Sequence, residues 1–175
     1  LRSLIPENVN KKLDEIVTMC FLGNRIADRA MSVMDVKFSM NKSSELLHQK
    51  LAHLFPLIGD IASSYQSARN CLTFYGDTPA DGTDYNSPQE FFEKLLDYMT
   101  DLESLCYESC QLAKEESDFT TSAFLHKFIR MLIPITNQCI LLADKGKAYN
   151  GDWMRFDHDV DDFVILGEFN KGWVK

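Results

Sequence analysis

No stretch of this chain of 175 residues reaches the ~18 consecutive apolar residues of a membrane span. The opening residues, LRSLIPENVN, have no apolar core of a signal peptide. Base is scarce relative to acid, with 18 Lys and Arg against 26 Asp and Glu and a formal charge of −8. There is no Lys/Arg run at either end, so the chain lacks the clustered cations that sequence-independent binding to a phosphate backbone requires. Nucleic acid is therefore not an expected partner, whereas cations are. No Cys-x-x-Cys pair occurs among Cys20, Cys71, Cys106, Cys110 and Cys139. Their odd number and wide spacing argue against a disulfide framework and against a thiolate zinc site; they read as reduced, mostly buried thiols of a cytoplasmic protein. Neither Gly-x-Ser-x-Gly nor a phosphate-cradling glycine loop is present, and the only histidines are His48, His53, His126 and His158. This leaves little material for hydrolytic or nucleotide-dependent chemistry.

What remains is helical periodicity. From about Pro6 to Lys37, Leu13, Ile16, Val17, Cys20, Ala27, Met31 and Met34 recur every three or four positions. A second segment runs from about Ser43 to Arg69, with a stripe of Leu47, Leu51, Leu54, Ile58, Ile61, Tyr65 and Ala68. Pro56 predicts a kink there. The third opens at SPQE, with Ser87 as N-cap, Pro88 at the first helical position and Glu90 completing a capping box. Its buried face is Phe92, Leu95, Leu96, Met99, Leu102, Cys106 and Ala113. The fourth, capped by Asp118 or Thr120, carries Leu125, Phe128, Ile129, Leu132, Thr136, Cys139 and Ala143, with a kink expected at Pro134 and a stop at Asn150-Gly151.

The fold class is thus an all-α four-helix bundle spanning 1–151, with an aromatic, acidic extension at 152–175 packed on the bundle or on a neighbouring subunit. The first two and last two helices are joined by short links and should be antiparallel neighbours. The middle link, TFYGDTPADGTDYNSP, decides the topology. A helix of ~30 residues is ~45 Å long, and about 17 extended residues at ~3.5 Å each could run back along it. A crossover is therefore expected, with an up-down-up-down bundle the alternative.

Metal chemistry has one concrete starting point. In SSELLHQKLAH, Glu45 precedes His48 by three positions, which places both on one helix face. Carboxylate-bridged two-metal bundles use such pairs twice, with further carboxylates facing inward from the other helices. Here the matching pair is missing: residue 123, three before His126, is Ala. The mid-helix positions Cys20, Ile58, Leu102 and Leu132 are packing residues. Glu45 also reads as a first-turn acid offsetting the helix dipole, and His48 as a boundary histidine in a subunit contact. Antiparallel pairing of the first two helices brings Asp35 to the same end, so Asp35, Glu45 and His48 form the candidate metal set, suited to Fe(II), Mn(II) or Zn(II). The acidic run DHDVDD (157–162) reads either as a cation site or as a solvated tail.

This architecture resembles the ferritin-like fold. Residues 33–62, with VMDVKFSMNKSSELLH and IGDIASS, look most like the branch named for the DNA-binding protein from starved cells (Dps). There the first helix ends in a His-Trp-Asn-Val-Lys-Gly type sequence, and the second opens with apolar-apolar-Leu-His before an Asp-x-x-Ala-Glu element. His48 matches the histidine opening the second helix. Val33 stands where the first histidine would be, and Gly59, Asp60 and Ser63 lie near the later pair at a different distance. The resemblance implies a homo-oligomer handling iron or another divalent metal at a divergent, inter-subunit site. The alternative is a ferritin-like scaffold without a metal centre that serves as a structural or partner-binding oligomer.

Overall fold

The computed structural model describes residues 2–164. Their elements are α1 (Glu7–Phe38), α2 (Asn41–Leu47), a single π-helical turn (His48–Ala52), α3 (Leu54–Ala68), α4 (Pro88–Glu115), α5 (Phe119–Ala148), α6 (Trp153–Asp159) and a 3-10 turn (Val160–Asp162). No strand occurs among the described residues.

Most boundaries follow from local chemistry. α1 ends where Ser39 turns left-handed (φ 56°), and the Met40 amide donates to the Met34 carbonyl at 3.0 Å. The Ser87 hydroxyl accepts the Glu90 amide at 3.3 Å to start α4. The Glu90 carboxylate reaches back to the Asn86 amide at 2.9 Å, one residue before the amide a capping box would use. Asp118, rather than Thr120, caps α5 by accepting the Thr121 amide at 3.0 Å. α5 runs unbroken through Pro134 and stops before Asn150 and Gly151, both with positive φ.

The second helical segment differs from expectation. Its break lies at 48–52, ahead of Pro56, which becomes the third residue of α3. A proline is tolerated in a first turn because its missing N–H has no intrahelical acceptor there. The cost falls on the Ala52 carbonyl four residues back, which accepts the Asn24 side-chain amide at 2.9 Å instead. The π-turn also rotates the buried stripe. Beyond it the core face is Phe55, Ile58, Gly59, Ala62 and Gln66, while Ile61 and Tyr65 are partly covered and Ala68 is exposed.

The link between α3 and α4 is a crossover. It climbs α1 from foot to head: Asn10 donates to the Leu72 carbonyl (3.0 Å), Asp14 accepts the Phe74 amide (2.9 Å), and Thr18 accepts the Gly76 amide (2.9 Å). Farther up, Arg29 donates to the Thr83 carbonyl (2.9 Å) and Lys37 reaches Asp84 (2.7 Å) and the Tyr85 carbonyl (2.8 Å). A Cβ on Gly76 would stand 3.0 Å from the Thr18 hydroxyl, so the chain hugs α1 there. α4 then descends antiparallel to α1, with the Tyr98 hydroxyl donating to the Met19 carbonyl at 2.7 Å. Gly23 lies beneath that ring; a Cβ there would fall well inside van der Waals contact with it.

At the head, α6 docks on α2. The Ser43 amide donates to Asp157 (2.6 Å), and Lys42 pairs with Asp161 (2.7 Å) and donates to the His158 carbonyl (2.7 Å). Phe156 is fully buried against Phe92, Trp153, Tyr149 and Phe163. The remainder of the extension, 165–175, lies outside the described residues. No helix among the described residues is long and apolar enough to cross a membrane.

Candidate metal site

A two-metal site inside a bundle is built at its centre from inward carboxylates. Cys20, Ile58, Leu102 and Leu132 are each fully buried at mid-height, together with Cys106 and Cys139. Burial pushes the Cys106 thiol up to about 12, and it pushes Cys20 and Cys139 up as well. These thiols stay neutral and act as small apolar residues. Glu103 lies at the margin of this layer, where its carboxylate accepts the Thr136 hydroxyl at 2.7 Å. All five cysteines are buried and unpaired.

The sequence-predicted residues come together elsewhere, on the outer face of α1 and α2. Asp35, Glu45 and His48 line one open hollow of about 420 Å³, with Asp28, Met31, Ser32 and Ser44. Asp28 is the member that sequence reasoning missed. It stands seven residues before Asp35, two turns along the same face of α1, and that spacing was the available signal. The His48 side chain keeps 41% of its surface exposed, and its Nδ1–H donates to Asp28 Oδ1 at 3.0 Å. A carboxylate can only accept, so the bond selects the tautomer in which Nδ1 carries the proton and Nε2 the lone pair. The Asp35 carboxylate accepts from the Asn41 side-chain amide.

Glu45 requires a correction. α2 begins at Asn41, so Glu45 is its fifth residue and lies beyond the first turn, where the dipole of the helix end is felt. The acid at that end comes from α6 instead, through the bond from the Ser43 amide to Asp157. The run 157–162 is thereby largely engaged in structure: Asp157 holds α2, Asp159 accepts the Tyr149 hydroxyl (2.7 Å), and Asp161 holds Lys42. Among the described residues no three His, Cys, Asp or Glu side chains converge on a single ion position. The hollow gathers ligand types around a rim without closing them into a cage.

His53, five residues beyond His48, is exposed, and the two rings are 4.6 Å apart between centroids. On an α-helix with 3.6 residues per turn, residues five apart point about 140° away from each other. The π-turn at 48–52, with its wider i to i+5 hydrogen-bonded turn, reduces that separation.

No family model and no curated protein matches the sequence. Solved structures do resemble it. An open-pore ferritin from the hyperthermophilic archaeon Archaeoglobus fulgidus superposes with a TM-score of 0.84 at 14% identity, over 90% of this chain and 97% of that one. A humanized archaeal ferritin gives 0.82 at 16% identity over 91% and 96%. A variant of PmFTN soaked in iron gives 0.80 at 16% identity over 87% and 98%. Likeness at this identity, over nearly the whole of both chains, establishes that this chain adopts the ferritin fold.

Proposed function

We propose that this protein handles iron or another divalent metal as a cytoplasmic homo-oligomer, binding the cation at the α1–α2 surface rather than inside the bundle. The observation that carries the reading is the gathering of Asp28, Asp35, Glu45 and His48 around one hollow, under a ferritin fold. Carboxylate and imidazole together suit Fe(II), Mn(II) and Zn(II). An open rim of this kind would be completed by a neighbouring subunit, as the Dps-like sequence match at His48 implies. Nucleic acid has no part in the proposal, given the charge of −8. The test is metal content after purification together with Fe(II)-dependent oxygen consumption. The reading expects bound metal, and oxidation abolished in His48→Ala; metal-free protein that leaves Fe(II) unoxidised sinks it.

A second reading is favoured by the bundle centre. Four packing residues occupy mid-height, which fits a ferritin-fold scaffold that has lost its metal centre and serves as a structural or partner-binding oligomer. Light scattering addresses the assembly that both readings share, and a monomer would remove the inter-subunit completion of the hollow.

A further inference from the structure

We infer that His48 and His53 form a chelating pair for a borderline transition cation, Zn(II), Ni(II) or Cu(II), created by the π-turn between them and oriented by Asp28. With metal–nitrogen bonds of about 2.0–2.1 Å, two imidazoles on one ion hold their ring centroids roughly 4.5–5.2 Å apart, for bond angles from a right angle to the tetrahedral value. The observed separation of 4.6 Å, with the rings inclined at 66°, falls in that interval. Asp28 supplies the second element. By accepting the Nδ1–H of His48 at 3.0 Å it leaves Nε2 free to ligate, the carboxylate–histidine arrangement that orients metal-binding imidazoles and raises their basicity. Among the described residues nothing hydrogen-bonds the His53 ring, which is exposed and free to turn toward an ion.

The backbone explains why these two rings meet. An unbroken α-helix from Asn41 to Ala68 would have carried them to different faces. The wide turn at 48–52, followed by Pro56 and by Asn24 holding the Ala52 carbonyl at 2.9 Å, brings position 53 back beside position 48. Two imidazoles are a partial ligand set, so water fills the remaining positions. Affinity should follow the order of divalent first-row metals, Ni(II) below Cu(II) and Zn(II) also below Cu(II). The pair shares His48 and Asp28 with the hollow of the proposed iron site, but it needs neither Glu45 nor Asp35 and no oxidation step.

The test uses the full chain, stripped of metal and titrated with Cu(II) and with Zn(II) by calorimetry. Wild type is expected to bind one ion per chain. His53→Ala should weaken binding at least tenfold and abolish the rise in Tm that Zn(II) gives the wild type. Asp28→Asn should weaken it by about 10–100-fold, the range for loss of an orienting partner. His126→Ala, an exposed histidine on α5, should leave it unchanged. Because His53 is exposed, its replacement should keep the native circular dichroism, which separates lost ligation from lost folding. Binding equal in wild type and His53→Ala, or no one-to-one binding by the wild type, overturns the inference. Fe(II) oxidation is not read in this experiment, so failure of the iron reading leaves its outcome intact.

Discussion

At mid-height the four long helices meet through Cys20, Ile58, Leu102 and Leu132, all fully buried, with neutral thiols filling the gaps between aliphatic side chains. Toward the head, on the outer face of α1 and α2, Asp28, Asp35, Glu45, His48 and His53 stand at or near the surface with water access. The two regions belong to the same helices yet invert the distribution of ligand-type residues that an intra-bundle metal site requires. Charge is costly in the first region because no partner offsets its desolvation. In the second it is cheap, because the hollow is open. The fold is therefore held at the buried centre, and the ligand-type residues of the head stand where their removal leaves the core intact.

Hollowing the centre should have the largest effect. Leu132→Ala should cost about 2–5 kcal/mol, as large-to-small changes at fully buried positions do. Urea denaturation should show it as a lower midpoint, while His48→Ala stays within about 0.5 kcal/mol of wild type, as surface substitutions do. Gly23→Ala follows, because the added methyl must displace the Tyr98 ring; about 1–3 kcal/mol is expected for overpacking. Gly23→Ala combined with Tyr98→Phe should cost less than the sum of the two single changes, since the hydroxyl is among the atoms in the way. Next comes the foot of the bundle: Asp118→Ala removes the cap of α5 and should cost ~1 kcal/mol by the same denaturation.

The smallest effect concerns pH at the head. The Lys42 ammonium hydrogen-bonded to Asp161 holds that carboxyl below its ordinary value, and Lys37 does the same for Asp84. A carboxyl depressed in the folded state contributes stability that is present above its unfolded pKa. That contribution is lost as pH falls through the folded value. Hydrogen exchange should therefore show α2 and the crossover near Tyr85 losing protection as pH falls below the ordinary aspartate value of 3.8. Lys42→Ala should flatten the change at α2 and leave the one near Tyr85 in place. Both pairs are exposed, so the bundle centre should be unaffected over the same range.

The helices were legible because each carries its own punctuation. Pro88 after Ser87, Asp118 before Thr121, and Asn150-Gly151 act within a few residues, and the apolar spacing of α1, α4 and α5 matches the observed core almost throughout. The second segment was less so. Its stripe pointed to Tyr65 and Ala68, but the π-turn shifted the core face to Ala62 and Gln66. Pro56 marked the right neighbourhood and the wrong residue, because the carbonyl it deprives lies four positions earlier and its substitute donor, Asn24, comes from another helix. The metal set was legible in part. Asp35, Glu45 and His48 do share one hollow, but Asp28 lines it as well, and the π-turn sets the His53 ring against that of His48.

The helical class, the caps and a link long enough for a crossover are written in the sequence, since each depends on neighbouring residues or on chain reach. Only the tertiary structure decided that the crossover follows α1, that Asp157 rather than Glu45 serves the start of α2, and that His48 and His53 share a face. Those outcomes depend on which backbone groups find donors and acceptors on other helices, a pairing set across 28 residues for Asn24 and Ala52 and 114 for Ser43 and Asp157.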